Sequence, residues 1–171
     1  MAKEDFSRAH VDGAEELFAS VRNSGLDFNS ARLWGNILRY MFVCQSIEAA
    51  AYTHGKETIR ILDIGCSEAT MYGFIARNFQ FYGAKKIEYV GVDVRQSSLD
   101  AARALYGDEV TLVNLDLNEE TKLHEFFSEP FDVISAQQVL EHVGYDDAIE
   151  MLKSCNKLLV DAGQLVISAP N

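Results

Sequence analysis

The sequence predicts an α/β fold: a mostly parallel sheet, doubly wound, with helices on both faces. Three observations carry this. Five short apolar runs rich in Val and Ile recur after residue 58, and amphipathic helical stretches separate them. The runs are continuous rather than alternating, as in strands buried on both faces. Repeated strand–helix–strand units imply right-handed crossovers and hence parallel neighbours.

Taken in order, residues 11–22 put Val11, Ala14, Phe18 and Val21 on one helical face, and 24–30 (SGLDFNS) form a turn. A second helix over 31–53 carries Trp34, Ile37, Leu38, Met41 and Phe42 at helical spacing, and its later half is apolar nearly all round. The expected strands are Ile59–Ile64, Ile87–Asp93, Val110–Leu115, Phe131–Ser135 and Gln164–Ser168. Between them lie helices over about 70–82, 97–106, a polar stretch near 119–128, and 145–160. Ser97 with Asp100 reads as a capping pair, and Asp146 and Asp147 suit a helix N-terminus.

A chain of 171 residues is the size of one domain with a substantial core. With 48% hydrophobic and 24% charged residues, disorder and low complexity are excluded. No apolar run reaches the roughly 20 residues of a membrane helix, and MAKEDFSRAH lacks the apolar core of a secretory signal. The formal charge of −11 argues against a nucleic-acid partner, which needs Lys and Arg for phosphates. Cys44, Cys66 and Cys155, odd in number and unpaired in spacing, read as free thiols of a reducing, cytoplasmic compartment.

In a parallel sheet of this kind ligands bind beyond the carboxyl ends of the strands. The first strand leads into ILDIGCSEA (61–69), where Gly65 allows a sharp turn before a helix starting near Thr70. A dinucleotide site would need G-x-G-x-x-G, but Ser67 and Ala69 stand where further glycines are expected. Asp63 suits a cationic ligand better than a pyrophosphate. Asp93, closing IEYVGVDV, can accept two ribose hydroxyls, and Asp116 with Leu117, in EVTLVNLDL, can receive an exocyclic amine and a base edge. FDVISAQQVLEHV (131–143) emerges in Gln137 and Gln138, with Glu141 and His142 at the mouth.

In that order, LDIGC, GVDV, NLDL, FDVISAQQVLEHV and LVISAPN resemble five motifs of the class I S-adenosylmethionine-dependent methyltransferases, and LVISAPN resembles the ubiquinone-type and sugar-type O-methyltransferase branches. The likeness covers roughly 59–171. It implies a Rossmann-like sheet of order 3-2-1-4-5, S-adenosyl-L-methionine as cofactor and S-adenosyl-L-homocysteine as product. It implies that Asp63 and Gly65, with backbone of Cys66 and Ser67, lie near the methionine moiety. Asp93 would hold the ribose, Val94 would pack on the adenine, Asp116 and Leu117 would receive its amine and edge, and the Gln137 carbonyl would meet the cofactor's amino group. His142, and with it Glu141, are candidates for general base. Residues 1–55 would form a helical cap, with Arg32, Trp34, Arg39 and Tyr40 as lid candidates, and 56–171 the cofactor-binding domain. His10, His54 and His124 read as surface residues.

The sequence departs from that pattern in three places. Ser67 and Ala69 replace glycines. Some branches bind a divalent metal through E-x-x-E-H, but the first acidic position here is Gln138, so no metal site is expected. The closing strands six and seven are missing, so 164–168 is expected to be an edge that is exposed, covered by the N-terminal helices, or used for a protein partner or self-association. The expected activity is methyl transfer to oxygen or nitrogen of a small-molecule acceptor. A non-catalytic methyltransferase-like binding module and a nucleic-acid methyltransferase stand as alternatives.

Overall fold

The computed structural model describes residues 31–78, 86–117 and 123–170, with the side chains of 31–34, 77 and 78 left aside. The expectations for helix 11–22, turn 24–30, His10 and the side chains of Arg32 and Trp34 lie outside the described residues.

The elements run α1 (Ala31–His54), β1 (Thr58–Ile64), α2 (Thr70–Asn78), β2 (Lys86–Asp93), α3 (Gln96–Tyr106), β3 (Val110–Asn114), α4 (Leu123–Phe126), β4 (Phe131–Gln137), α5 (Tyr145–Leu158) and β5 (Leu159–Ser168). All strand pairings are parallel and the order is β3-β2-β1-β4-β5, as the sequence predicts. The alternation of side chains along β1 splits the core in two. Ile59 and Ile61 face a layer built by Val43 and Ile47 of α1, Met71 and Ile75 of α2, and Leu99 of α3. Leu62 and Ile64 face the opposite layer, where Leu123 of α4 and Met151, Cys155 and Leu158 of α5 pack.

Burial on both faces holds for β1 and β4 but not for β3 and β5, which are half-exposed and, among the described residues, each pair with a strand on one side only. Three further expectations are corrected. Helix α5 stops at Leu158, because Leu159 turns extended and opposes Phe131, so β5 begins five residues early. A kink then carries the chain through Ala162, at φ 60°, to Gln164, where pairing with β4 resumes. At α3 the position before the helix is Arg95, with no side-chain cap; Asp100 accepts instead from Gln96 and Arg103 within the helix. His124 is half-buried and ties α4 to α5, with Nδ1 3.0 Å from Ser154 Oγ.

Among the described residues nothing pairs with the outer edge of β5. Helix α1 packs on β4 and β5 but does not extend the sheet. No described helix is long and apolar enough to cross a membrane. Cys44, Cys66 and Cys155 are free and buried; burial pushes the Cys44 and Cys155 thiols up to about 12.

Candidate functional site

The carboxyl ends of β1, β2, β3 and β4 meet around a cleft of about 380 Å³, within the usual range for a small-molecule site. Its floor is the turn after β1. Gly65 sits at φ 73°, and a Cβ there would lie 2.6 Å from Val139 Cγ2, so only glycine fits. The N–H groups of Gly65 and Cys66 both donate to Val92 O, at 2.8 and 3.0 Å, folding the turn back onto β2. Cys66 fills the space that Gly91 leaves open: a Cβ on Gly91 would come within 2.7 Å of its Sγ. Ser67 and Ala69, the two residues in place of glycines, both hold φ 52°. The left-handed turn is therefore kept without the residue that adopts it most cheaply.

Asp93 closes β2 and lines the cleft at 7% exposure. Its Oδ2 accepts from Ser67 N–H at 2.8 Å and its Oδ1 from Arg95 N–H at 2.8 Å. Oδ1 also receives Arg95 Nε at 3.4 Å, so the remaining acceptor capacity lies on Oδ2. Asn114 at the end of β3 donates its amide to the carbonyls of Asp93 and Val94, at 3.1 and 2.9 Å, and so fixes the turn that presents them. Val94, Asp116 and Leu117 also line the cleft.

Asp63 is placed differently. Its carboxylate is buried beneath the loop and accepts from the Tyr89 hydroxyl at 2.5 Å. Alternation along β1 explains this: Asp63 shares the face of Ile59 and Ile61, where Tyr89 also points. Burial pushes its carboxyl up to about 7, with the Tyr89 hydrogen bond opposing and the nearby Asp93 charge adding to the rise. Burial and the Asp63 charge push the Tyr89 hydroxyl well above its ordinary range.

At the far wall β4 ends in Gln137, whose amide donates to Val166 O and accepts from Ser168 Oγ, at 3.1 and 2.7 Å. Its side chain is thus committed to β5. Gln138 follows at φ 58°, donates its N–H to Ser168 O and reaches the cleft. His142, on a single 3₁₀ turn over Leu140–His142, stands at the exposed rim.

Of the residues expected from sequence, the structure brings Gly65, Asp93, Val94, Asp116, Leu117 and His142 to one cleft. Asp63, Cys66, Ser67, Gln137 and Glu141 do not line it; Cys66 and Ser67 shape its floor from behind, and Glu141 is exposed to solvent. Arg95, Gln138 and Val139 line it and were missed. Arg95 follows Asp93 and Val94 directly, so the loop position was a signal; the contact of Val139 with Gly65 was not visible in one dimension.

A family model described as a methyltransferase domain matches residues 62–165, the span from β1 to β5. Ubiquinone biosynthesis O-methyltransferases are among the curated relatives. That of Nitrosococcus oceani is 30% identical over 112 residues, covering 66% of this chain and 44% of the relative. That of Hahella chejuensis is 32% identical over 114 residues, covering 66% and 43%. The chain spans less than half the length of these relatives. Among solved structures, the plantazolicin methyltransferase BpumL in complex with an analog and SAH superposes with TM-score 0.60 at 17% identity, covering 92% of this chain and 53% of that one. SAM-bound CalS10, an amino pentose methyltransferase from Micromonospora echinaspora, gives 0.60 at 19% identity, covering 90% and 55%. At such identities the likeness shows the fold. The family match, over well more than half of the chain, shows the membership: this chain belongs to the methyltransferase domain family.

Proposed function

We propose that this chain binds S-adenosylmethionine in the cleft and transfers its methyl group to oxygen or nitrogen of a small-molecule acceptor. The observation that carries the reading is Asp93, a carboxylate lining the cleft at the end of β2 and held there by two backbone N–H groups. That is a receptor for a ribose diol, and charge assistance makes both hydrogen bonds strong. Val94 and Leu117 supply apolar surface for the base, and Asp116 an acceptor for its amine. Gly65 would let the methionine moiety approach bare backbone, alongside backbone of Cys66 and Ser67, and the Gln137 carbonyl would meet its amino group. Burial, with the Asp93 charge adding to it, raises the Asp63 carboxyl, and a ligand bearing ammonium and sulfonium charge would favour its ionised form.

S-adenosylmethionine supplies an already activated methyl electrophile, so the protein's contribution is chiefly alignment. In this reading His142, exposed at the rim, takes the acceptor's proton, with the exposed Glu141 beside it in the chain. Of the segment 1–55 read as a cap on the domain formed by 56–171, the described part, α1, supports a packed position: Tyr40 shares a 2.8 Å hydrogen bond with Thr70 and packs on Phe74. The three free buried thiols support a cytoplasmic location.

Transfer of labelled methyl across a panel of small O- and N-acceptors tests the reading. Label should enter the small-molecule fraction, and His142→Ala should cut kcat by about 100-fold with cofactor affinity kept. Binding without transfer to any acceptor would leave a binding module, and label in RNA or DNA would move the acceptor class.

A further inference from the structure

The turn over Gly65–Ala69 holds two non-glycine residues in the left-handed region, Ser67 and Ala69. Such conformations persist only where the surroundings over-determine them. Ala69 is buried completely, and its N–H and carbonyl are tied to Cys66 and Gly73. Ser67 is held from two sides. Its N–H donates to Asp93 Oδ2 at 2.8 Å, and its hydroxyl oxygen accepts from Arg95 Nη2 at 3.0 Å. Arg95 also donates its backbone N–H to Asp93 Oδ1 at 2.8 Å, with Nε 3.4 Å from the same oxygen. Three residues from two loops thus close a ring at the rim of the cleft. The Arg95 side chain is 62% exposed, so burial does not force it there. It is also the one Lys or Arg among the described residues lining the cleft.

We propose that Arg95 is a positioning residue of the ligand site: its guanidinium clasps Ser67 to Asp93, fixing both the left-handed turn and the carboxylate that faces the cleft. The hydroxyl of Ser67 is the acceptor a glycine would lack, which gives serine a purpose at a position that otherwise favours glycine. The ligand arm of this inference rests on the proposed function; the clasp itself does not.

The test is a double-mutant cycle on the full chain with Ser67→Ala and Arg95→Ala, read twice. Without ligand, each single change should lower Tm by about 2 °C, as for an exposed charge-assisted contact, and the pair should cost no more than one. With S-adenosylhomocysteine, followed by calorimetry well below Tm, each should raise Kd about fivefold and the pair also about fivefold, since one interaction is lost in all three. Ser67→Gly, which relaxes the turn while removing the hydroxyl, should bind better than Ser67→Ala. Arg95→Lys should recover part of the affinity. Additive effects in both cycles, or an Arg95→Ala chain indistinguishable from the parent, would overturn the clasp. A parent chain that fails to bind S-adenosylhomocysteine would overturn the proposed function instead, and the melting cycle would still decide the clasp.

Discussion

At the amino ends of the strands Asp132, the second residue of β4, is 1% exposed; at the carboxyl ends Asp63 and Asp93 are 4% and 7% exposed. The first is closed. Lys56 Nζ lies 2.6 Å from its Oδ1, and Arg60 N–H donates to its Oδ2 at 2.9 Å. Around it Arg60 pairs with Glu88 and Glu129 at 3.3 Å each and lies over the Phe131 ring. At the carboxyl ends Asp63 is met by a tyrosine hydroxyl, and Asp93 by two backbone N–H groups and one largely exposed arginine. A carboxylate whose work is to join two strands is neutralised by a cation. Among the described residues Asp63 is left without a cation against it, and its burial holds the carboxyl well above the ordinary range.

That contrast breaks most sharply with pH. Free aspartate ionises near 3.8, whereas native Asp63 is raised to about 7, so between these values the folded chain keeps a proton that the unfolded chain has released. The stability tied to Asp63 therefore falls as pH rises from about 4 to about 7 and is level above, by at most roughly 4 kcal/mol. Asp63→Asn should remove this slope; urea midpoints with the same pH dependence in both chains would contradict it. At the other end, Asp132→Ala should cost about 2 kcal/mol, because the Arg60 N–H loses its acceptor while the part-exposed Lys56 can return to water. Ligand affinity should stay as it was, and a loss of binding in a folded Asp132→Ala chain would show that the two ends are not separable. Gly65→Ala should cost about 1–3 kcal/mol through its left-handed φ and the clash with Val139. Adding Val139→Ala should relieve the clash but not the φ, so recovery in thermal melts should be partial.

The strands, the helices between them and their parallel arrangement were legible because burial on both faces writes continuous apolar runs and crossovers leave few topologies, while the strand order came from the family resemblance. The early start of β5 was not, since Leu159 and Val160 continue the apolar pattern of α5 until the pairing of Leu159 with Phe131 overrides it. Gly65, Asp93 and Asp116 were legible as turn residues at strand ends. Asp63 was legible as a strand-end carboxylate but not as a buried partner of Tyr89, which depends on two strands being side by side. Arg95 carried no one-dimensional signal beyond its neighbours, because its role needs Ser67, 28 residues away, to return beside it.

The central claim is that Asp93 holds the ribose of the methyl donor, and side-by-side calorimetry of S-adenosylmethionine with the parent chain and Asp93→Ala tests it most directly. The account predicts one equivalent bound by the parent and affinity lower by about 100-fold in a variant that still unfolds cooperatively, as expected for two lost hydrogen bonds to a charged group. Equal affinity in the two chains would contradict it.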